Sequence, residues 1–321
     1  MKIISNLKKF FLLCFLTTAI ISCNNDDSVS PQPIDNSIAG IASRDPQFTV
    51  LVSALTKAGL VNTLKGTGSF TVFAPTNTAF NAFLSANGFA NLDAVPVAAL
   101  KEILLNHVIS GSLQSTVLTT GYIKTLAKGS ASATNTLSMF VNAASGVKLN
   151  GVSNVTTANK IATNGVMHTV DAVIGLPTLI THAAANPSFD TLESIVTSSG
   201  QSAVLDALNA ATPAKTVFAP TNAAFATATG TGGWASGASP ATITKVLQYH
   251  VTIAGNVLSA TLTNNQSIPM ITNPVQNTTV IISGTNVSIR DAFSVSHPVI
   301  ATDVQCSNGV IHAVSGVLRP N

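Results

Sequence analysis

Thr71–Phe80 reads TVFAPTNTAF, and Thr216–Phe225 reads TVFAPTNAAF, an offset of 145 (216 less 71). Working outward, NGVMHTV at Asn164–Val170 returns as NGVIHAV at Asn308–Val314, offset 144. Between these blocks LLNHV, with His107, is matched by LQYHV, with His250, offset 143. Asp45-Pro46-Gln47-Phe48 pairs more loosely with Asn186-Pro187-Ser188-Phe189. A near-constant offset across a whole unit marks domain duplication, and a period this long makes two self-sufficient domains rather than a solenoid. The expected division is 37–177 for domain one and 178–321 for domain two, after a leader (1–22) and a tether (23–36).

Each copy reads as helices first and strands second. Phe48–Leu64 carries Leu51, Leu55 and Leu60 at helical spacing, interrupted by Gly59. TVFAP is a short buried strand that Pro75 stops, and Thr76 then has the chemistry of a helix N-cap. A further helix opens near Pro96, with Leu100, Ile103, Leu104 and His107 on one stripe. Its counterpart opens near Pro240, with Ile243, Val246, Leu247 and His250 at the same spacing. SMFVNA, VKLNG and GVMHTVDAVI predict strands in the first copy, and TTVIISG, VSIRDA and GVIHAVSGVL in the second. Asn-Gly at 150–151, 164–165 and 308–309 supplies turn chemistry. Helices followed by antiparallel strands predict an α+β class.

The TVFAPTN-x-AF block, the mid-domain His-Val and the closing NGV-x-H-x-V block together resemble the fasciclin (FAS1) domain. Both copies carry all three in order, so the resemblance covers nearly all of 37–321. It implies two β-wedge domains, each with two packed sheets and helices wrapped around one end. It also implies an extracellular adhesion or matrix-binding role with no enzymatic activity. Two departures stand out. The family often has an acid in the block after the asparagine, where this chain has Thr78 and Ala223. Its Tyr-His pair is intact only as Tyr249-His250, because domain one has Asn106-His107. Adhesion through that region is therefore an expectation for domain two alone.

The N-terminus reads as a targeting signal. Lys2, Lys8 and Lys9 precede the apolar run Phe10–Ile21, which is too short and wrongly flanked for a membrane span. Ile20-Ile21-Ser22-Cys23 resembles a bacterial lipobox, which makes Cys23 the lipidation site and the acyl chains the membrane anchor. An ordinary signal peptide with an incidental cysteine is the competing reading. NNDDSVSPQPIDNS after Cys23 lacks periodicity and reads as a flexible tether. Asp26 and Asp27 resemble the acidic tethers of lipoproteins displayed on the surface of some Gram-negative groups. Surface and periplasmic faces of an outer membrane both remain open. Removing the three leader lysines from fifteen basic residues leaves twelve, equal to the twelve acids. Without a basic stripe, nucleic acid is not an expected partner. Charged residues make up 8% of the chain, against about 25% in typical globular proteins, so the surface must be built from small neutral polar residues. With Cys14 in the leader and Cys23 lipidated, Cys306 stands alone and no internal disulfide is expected.

The recurring pairs His107/His250 and His168/His312 invite a metal reading. Zinc needs three or four ligands, yet no acid or cysteine recurs beside both pairs; Glu102 is matched by Lys245. The expectation is four structural histidines whose ring nitrogens meet backbone groups, with no metal and no cofactor. Serine nucleophile elbows are absent from the sequence, and neither GTGSF (Gly66–Phe70) nor GTGGW (Gly230–Trp234) sits between a strand and a helix as a phosphate loop would. Cys306 in VQCSNG reads as a half-buried strand residue. Trp234, opposite Phe89 at the repeat offset, is either a plug under its loop or a residue that anchors a sugar or a protein. Trp234 and Tyr249 are the tentative ligand-binding residues. The expected function is a non-enzymatic, lipid-anchored envelope protein that binds polysaccharide or extracellular protein. The alternative is an accessory subunit of an envelope assembly, such as a glycan-uptake complex, docking protein to protein.

Overall fold

The computed structural model describes residues 34–321. The leader, Cys23 and the tether up to residue 33 lie outside the described residues. Among those described, no helix is long and apolar enough to cross a membrane.

Domain one runs α1 (Ile38–Arg44), α2 (Thr49–Lys57), α3 (Val61–Lys65), β1 (Phe70–Pro75), α4 (Asn77–Ala86), α5 (Val97–Leu105) and β2 (Val108–Ser110). It then continues as β3 (Gly121–Lys128), β4 (Thr136–Asn142), β5 (Lys148–Leu149), β6 (Ser153–Ala162) and β7 (Gly165–Val170). Domain two repeats the order: α6 (Leu179–Ala185), α7 (Asp190–Thr197), α8 (Ser202–Asn209), β8 (Lys215–Pro220), α9 (Asn222–Thr229), α10 (Pro240–Gln248) and β9 (Val251–Thr252). Its remaining strands are β10 (Ser267–Pro269), β11 (Asn277–Ser283), β12 (Asn286–Arg290), β13 (Ser296–Cys306) and β14 (Gly309–Val314). The class is α+β in both copies.

Strands in domain one are bonded in the order β2-β1-β7-β6-β5-β4-β3, and domain two has the same sequence of pairings. The two sheets expected of the wedge are thus joined by hydrogen bonds into one run of seven. In domain one the ends of that run share an apolar cluster of Phe73, Ile109, Met139, Val141, Leu149 and Val170. The helices cover a second cluster on the other side of β1, built on Phe48, Leu51, Leu100 and Leu104.

The strands were expected to be antiparallel throughout, but the central pair is parallel. β1 runs beside β7 with Phe73 opposite His168, and β8 beside β14 with Phe218 opposite His312. Both central strands are buried along nearly their whole length, which is how parallel pairs covered on both faces read in sequence. Gly59, in the left-handed region at φ +70, splits the expected helix 48–64 into α2 and α3. The closing turns are Thr163-Asn164 and Ser307-Asn308, one residue earlier than the Asn-Gly pairs. Gly165 and Gly309 instead begin the strands, because a Cβ at either would collide with the carbonyl of Phe70 or of Lys215. Asn150-Gly151 does form a turn with both φ positive.

The repeated polar residues tie these elements together. Thr76 and Thr221 cap α4 and α9 by accepting from Ala79 N–H and Ala224 N–H. Asn77 accepts from Val50 N–H and donates to the Pro46 carbonyl, and Asn222 does the same to Thr191 and Pro187. Thr71 donates to Gly111 and accepts from Leu113 N–H; Thr216 repeats this with Gly255 and Val257. The last tether residues already belong to domain one: Asp35 accepts from Ser37 N–H, and the Asn36 carbonyl from Thr163 N–H.

The domains meet where β4 and its neighbours lie against the end of β13. Ser138 Oγ accepts from Gln305 N–H at 3.0 Å, and Lys124 donates to the Asp303 carbonyl at 2.8 Å. The Ser307 carbonyl accepts from Ala131 N–H and Ser130 Oγ, both at 2.9 Å. Tyr122 of domain one packs on the domain-two core, its ring set edge-on to buried His182 at 5.3 Å between centroids. Cys306, expected to be half-buried, is wholly buried at this junction, and burial raises its thiol pKa.

Candidate binding surface

His107 follows the C-cap of α5, and its position dictates its chemistry. Nδ1–H donates to the Ile103 carbonyl one turn back at 2.8 Å, and Nε2 accepts from Ile174 N–H at 2.9 Å. His250 repeats this with the Val246 carbonyl (2.7 Å) and Leu318 N–H (2.8 Å). One ring therefore pins the end of a helix to the segment that follows the last strand. His168 uses the opposite tautomer, with Nε2–H donating to Leu113 at 2.9 Å and Nδ1 accepting from Asn159 N–H at 3.2 Å. His312 pairs likewise with Val257 and Asp303. His168 and His312 also stack on Phe73 and Phe218, with centroids 5.5 and 5.8 Å apart.

In this bonding pattern both nitrogens of all four rings face backbone groups, so each imidazole is neutral with no lone pair to spare. Burial holds His107 and His250 down at about 4, and lowers His168 and His312 as well. Among the described residues, no three His, Cys, Asp or Glu side chains converge as a metal site would require.

Tyr249, expected on a contact surface, is completely buried. Its ring fills the second cluster of domain two among Phe218, Ile268, Met270 and Val280, and its hydroxyl donates to the Asn277 carbonyl at 2.8 Å. The residue before the histidine closes the helix, so its side chain points inward. Asn106, its counterpart, is equally buried and donates to the Ile174 and Gly175 carbonyls. The Tyr/Asn difference between copies is a difference in core filling, and Tyr249 has no face to offer a ligand.

Trp234 and Phe89 part company despite their shared offset. Phe89 packs on the domain-one core. Trp234 stands at the surface, 37% exposed, with the Arg319 guanidinium 5.5 Å from its ring centroid. That guanidinium also lies 3.8 Å from the ring centroid of Phe293, itself 48% exposed. The loop bearing Phe293 is fixed by buried Asp291, whose Oδ1 accepts from Phe293 and Val295 N–H groups. Its Oδ2 meets His297 Nε2 at 3.0 Å and Arg319 N–H at 3.2 Å. A planar cation lying over both aromatic faces is attracted to each, the nearer being Phe293, and this favours one arrangement of the patch.

Phe293 and Arg319 were not foreseen as partners of Trp234. Together with Trp234 they come from three separate segments with no common periodicity, and the one sequence signal was a large aromatic, Phe293, set in a short turn.

A family model described as the Fasciclin domain matches residues 46–177 and 187–320. Protein sll1483 of Synechocystis is 36% identical over 137 residues, 43% of this chain and 72% of its own length. The transforming growth factor-beta-induced protein ig-h3 of Sus scrofa is 32% identical over 145 residues, 45% of this chain and 20% of its own. The cell surface glycolipoprotein MPB83 of Mycobacterium bovis is 41% identical over 81 residues, 23% of this chain and 34% of its own. A solved FAS1 domain pair from the insect cell adhesion molecule fasciclin I is 18% identical, with a TM-score of 0.45, over 87% of this chain and 95% of that one.

Proposed function

The chain belongs to the fasciclin-domain family, and from that premise we propose that it is a lipid-anchored, non-enzymatic envelope protein that binds polysaccharide or extracellular protein through domain two. One observation carries the placement: the exposed Trp234–Arg319–Phe293 patch. On a chain with 8% charged residues, aromatic area is the main source of affinity, and anchors of this kind can be worth about 2 kcal/mol or more each. Sugars stack on aromatic faces, and the guanidinium edge offers hydrogen bonds to their hydroxyls or carboxylates. A relative named as a cell surface glycolipoprotein is consistent with this placement. Domain two also follows domain one in the chain, farther from Cys23.

Trp234→Ala and Phe293→Ala are expected to lower retention on a glycan array or on cells at least tenfold, with melting temperatures within about 2 °C of the parent. Binding that survives both substitutions, or loss that tracks unfolding, would remove the patch from the reading. A single stoichiometric envelope protein in a crosslinked pull-down, with no sugar retention, would instead favour the accessory-subunit alternative.

The anchor is tested separately. Cys23→Ser is expected to release the protein from membranes and to abolish labelling by a clickable fatty acid. Membrane partition that persists through high-salt washes would defeat the lipoprotein assignment.

A further inference from the structure

Domain two contains a hollow of about 210 Å³ that the Trp234 loop borders. Its walls are Ile195 of α7, Phe225 and Ala228 of α9, Ile243 and Leu247 of α10, and Val317. Thr229 is the one polar side chain in the lining, and its hydroxyl is spent on the Phe225 carbonyl at 2.8 Å. Thr229 and Gly237, both exposed, mark where the hollow reaches the surface.

The internal repeat says what kind of group belongs there. At the 145 offset, Ala228 and Thr229 stand where domain one has Phe83 and Leu84, and Gly237 stands where it has Leu92. In domain one all three side chains pack on the helical core, Leu84 within it, together with Phe89. In domain two the first three are replaced by smaller residues, and the fourth is Trp234, whose ring stands out beside Arg319. The same backbone frame is thus filled by phenyl and isobutyl groups in one copy and left open in the other.

We propose that this hollow is a binding site for a small, uncharged, hydrophobic molecule bearing an aromatic or branched alkyl group. Apolar cavities of about 150 Å³ stay dry and take up benzene, so one somewhat larger suits a ligand of about six to ten non-hydrogen atoms. A ligand seated there removes apolar wall area from water and gains dispersion contacts with it. With no charge and no free side-chain donor in the lining, and the Thr229 oxygen as its one side-chain acceptor, the hollow selects against ionised and strongly polar solutes. This site is separate from the exposed patch and stands or falls without it.

Indole is the probe, titrated into the full-length Cys23→Ser protein with methyl groups observed by NMR. The expected result is saturable shifts at Ile243, Leu247 and Val317, with Leu84 and Val95 of domain one unmoved. Ala228→Phe and Thr229→Leu, which restore the domain-one side chains, are expected to weaken indole binding at least tenfold while keeping or raising the melting temperature. Absence of saturable shifts in the parent overturns the proposal, as does undiminished binding in either folded variant. If Ala228→Phe fails to fold, Thr229→Leu decides alone.

Discussion

Between pH 7.5 and pH 5 the melting temperature is expected to fall by about 12–24 °C, well before the carboxylates titrate. The cause is the set of buried histidines. In the folded chain burial holds His107 and His250 at about 4 and His182 at about 3, against 6.5 for an exposed imidazole. Below pH 6.5 the unfolded chain takes up protons that the folded chain refuses, so the unfolded state gains. A depressed folded pKa means that this stability is fully present above pH 6.5 and is lost as pH falls toward 4. By pH 5 each of the three has given up about 2 kcal/mol, set against a total stability of about 5–15 kcal/mol. At roughly 2–4 °C per kcal/mol for a protein of this size, the sum gives the stated range. His168 and His312, also lowered, add in the same direction. Calorimetry at pH 7.5, 6 and 5 measures the slope, and imidazole C2-proton shifts show whether the folded rings stay neutral. A melting temperature flat to within about 5 °C, or ring protons that titrate near 6.5, would mean that the rings are accessible.

The parts of the chain that proved legible are those whose job is long-range bonding. Thr71, Asn77, His107, Asn164 and His168 each reach backbone groups in other elements, and so do their domain-two partners, while Thr76 and Thr221 cap the helices that follow them. A residue that satisfies two or three buried backbone groups tolerates no change, which is why these blocks survive duplication nearly intact. The α+β class and the repeat architecture followed from them. Strands β3 and β6 were hidden because each is largely polar or partly exposed, without a clean alternation. α1 has only seven residues and too little periodicity to register. Tyr249 misled because a family resemblance suggests a region and not the direction of a side chain. The candidate site was scarcely legible at all. The Trp234 patch is assembled from residues 234, 293 and 319, and the hollow beside it is defined by what domain two lacks relative to domain one. Shared residues build the fold, and the proposed binding features lie where the copies differ.

Asn308→Ala is expected to cost domain two about 3–5 kcal/mol, the largest effect of any single polar substitution proposed for this chain. Its Oδ1 accepts from Leu179 N–H at 3.0 Å, and its Nδ2 donates to the Leu208 carbonyl at 2.7 Å. A longer bond, 3.4 Å, runs to the Ala210 carbonyl. One buried side chain, set in the turn into β14, thus satisfies the first N–H of α6 and two carbonyls at the end of α8, those of Leu208 and Ala210. Helix ends leave such groups orphaned, and an orphan cut off from water costs about 1–3 kcal/mol. Alanine strands up to three at once; water entering the vacated space offsets part of the loss. Asn164→Ala should do the same to domain one, where Ile38 N–H and the Leu64 and Gly66 carbonyls are the partners. Asp at either position keeps the acceptor but turns a carboxylate toward two carbonyl oxygens, so it should be no better than Ala. Urea denaturation of the four variants reads the cost directly, with the midpoint falling and the slope unchanged if the folded state alone is affected. A loss under about 1 kcal/mol for both Ala variants, or an Asp variant as stable as the parent, would show that this side chain does not hold the helix ends together.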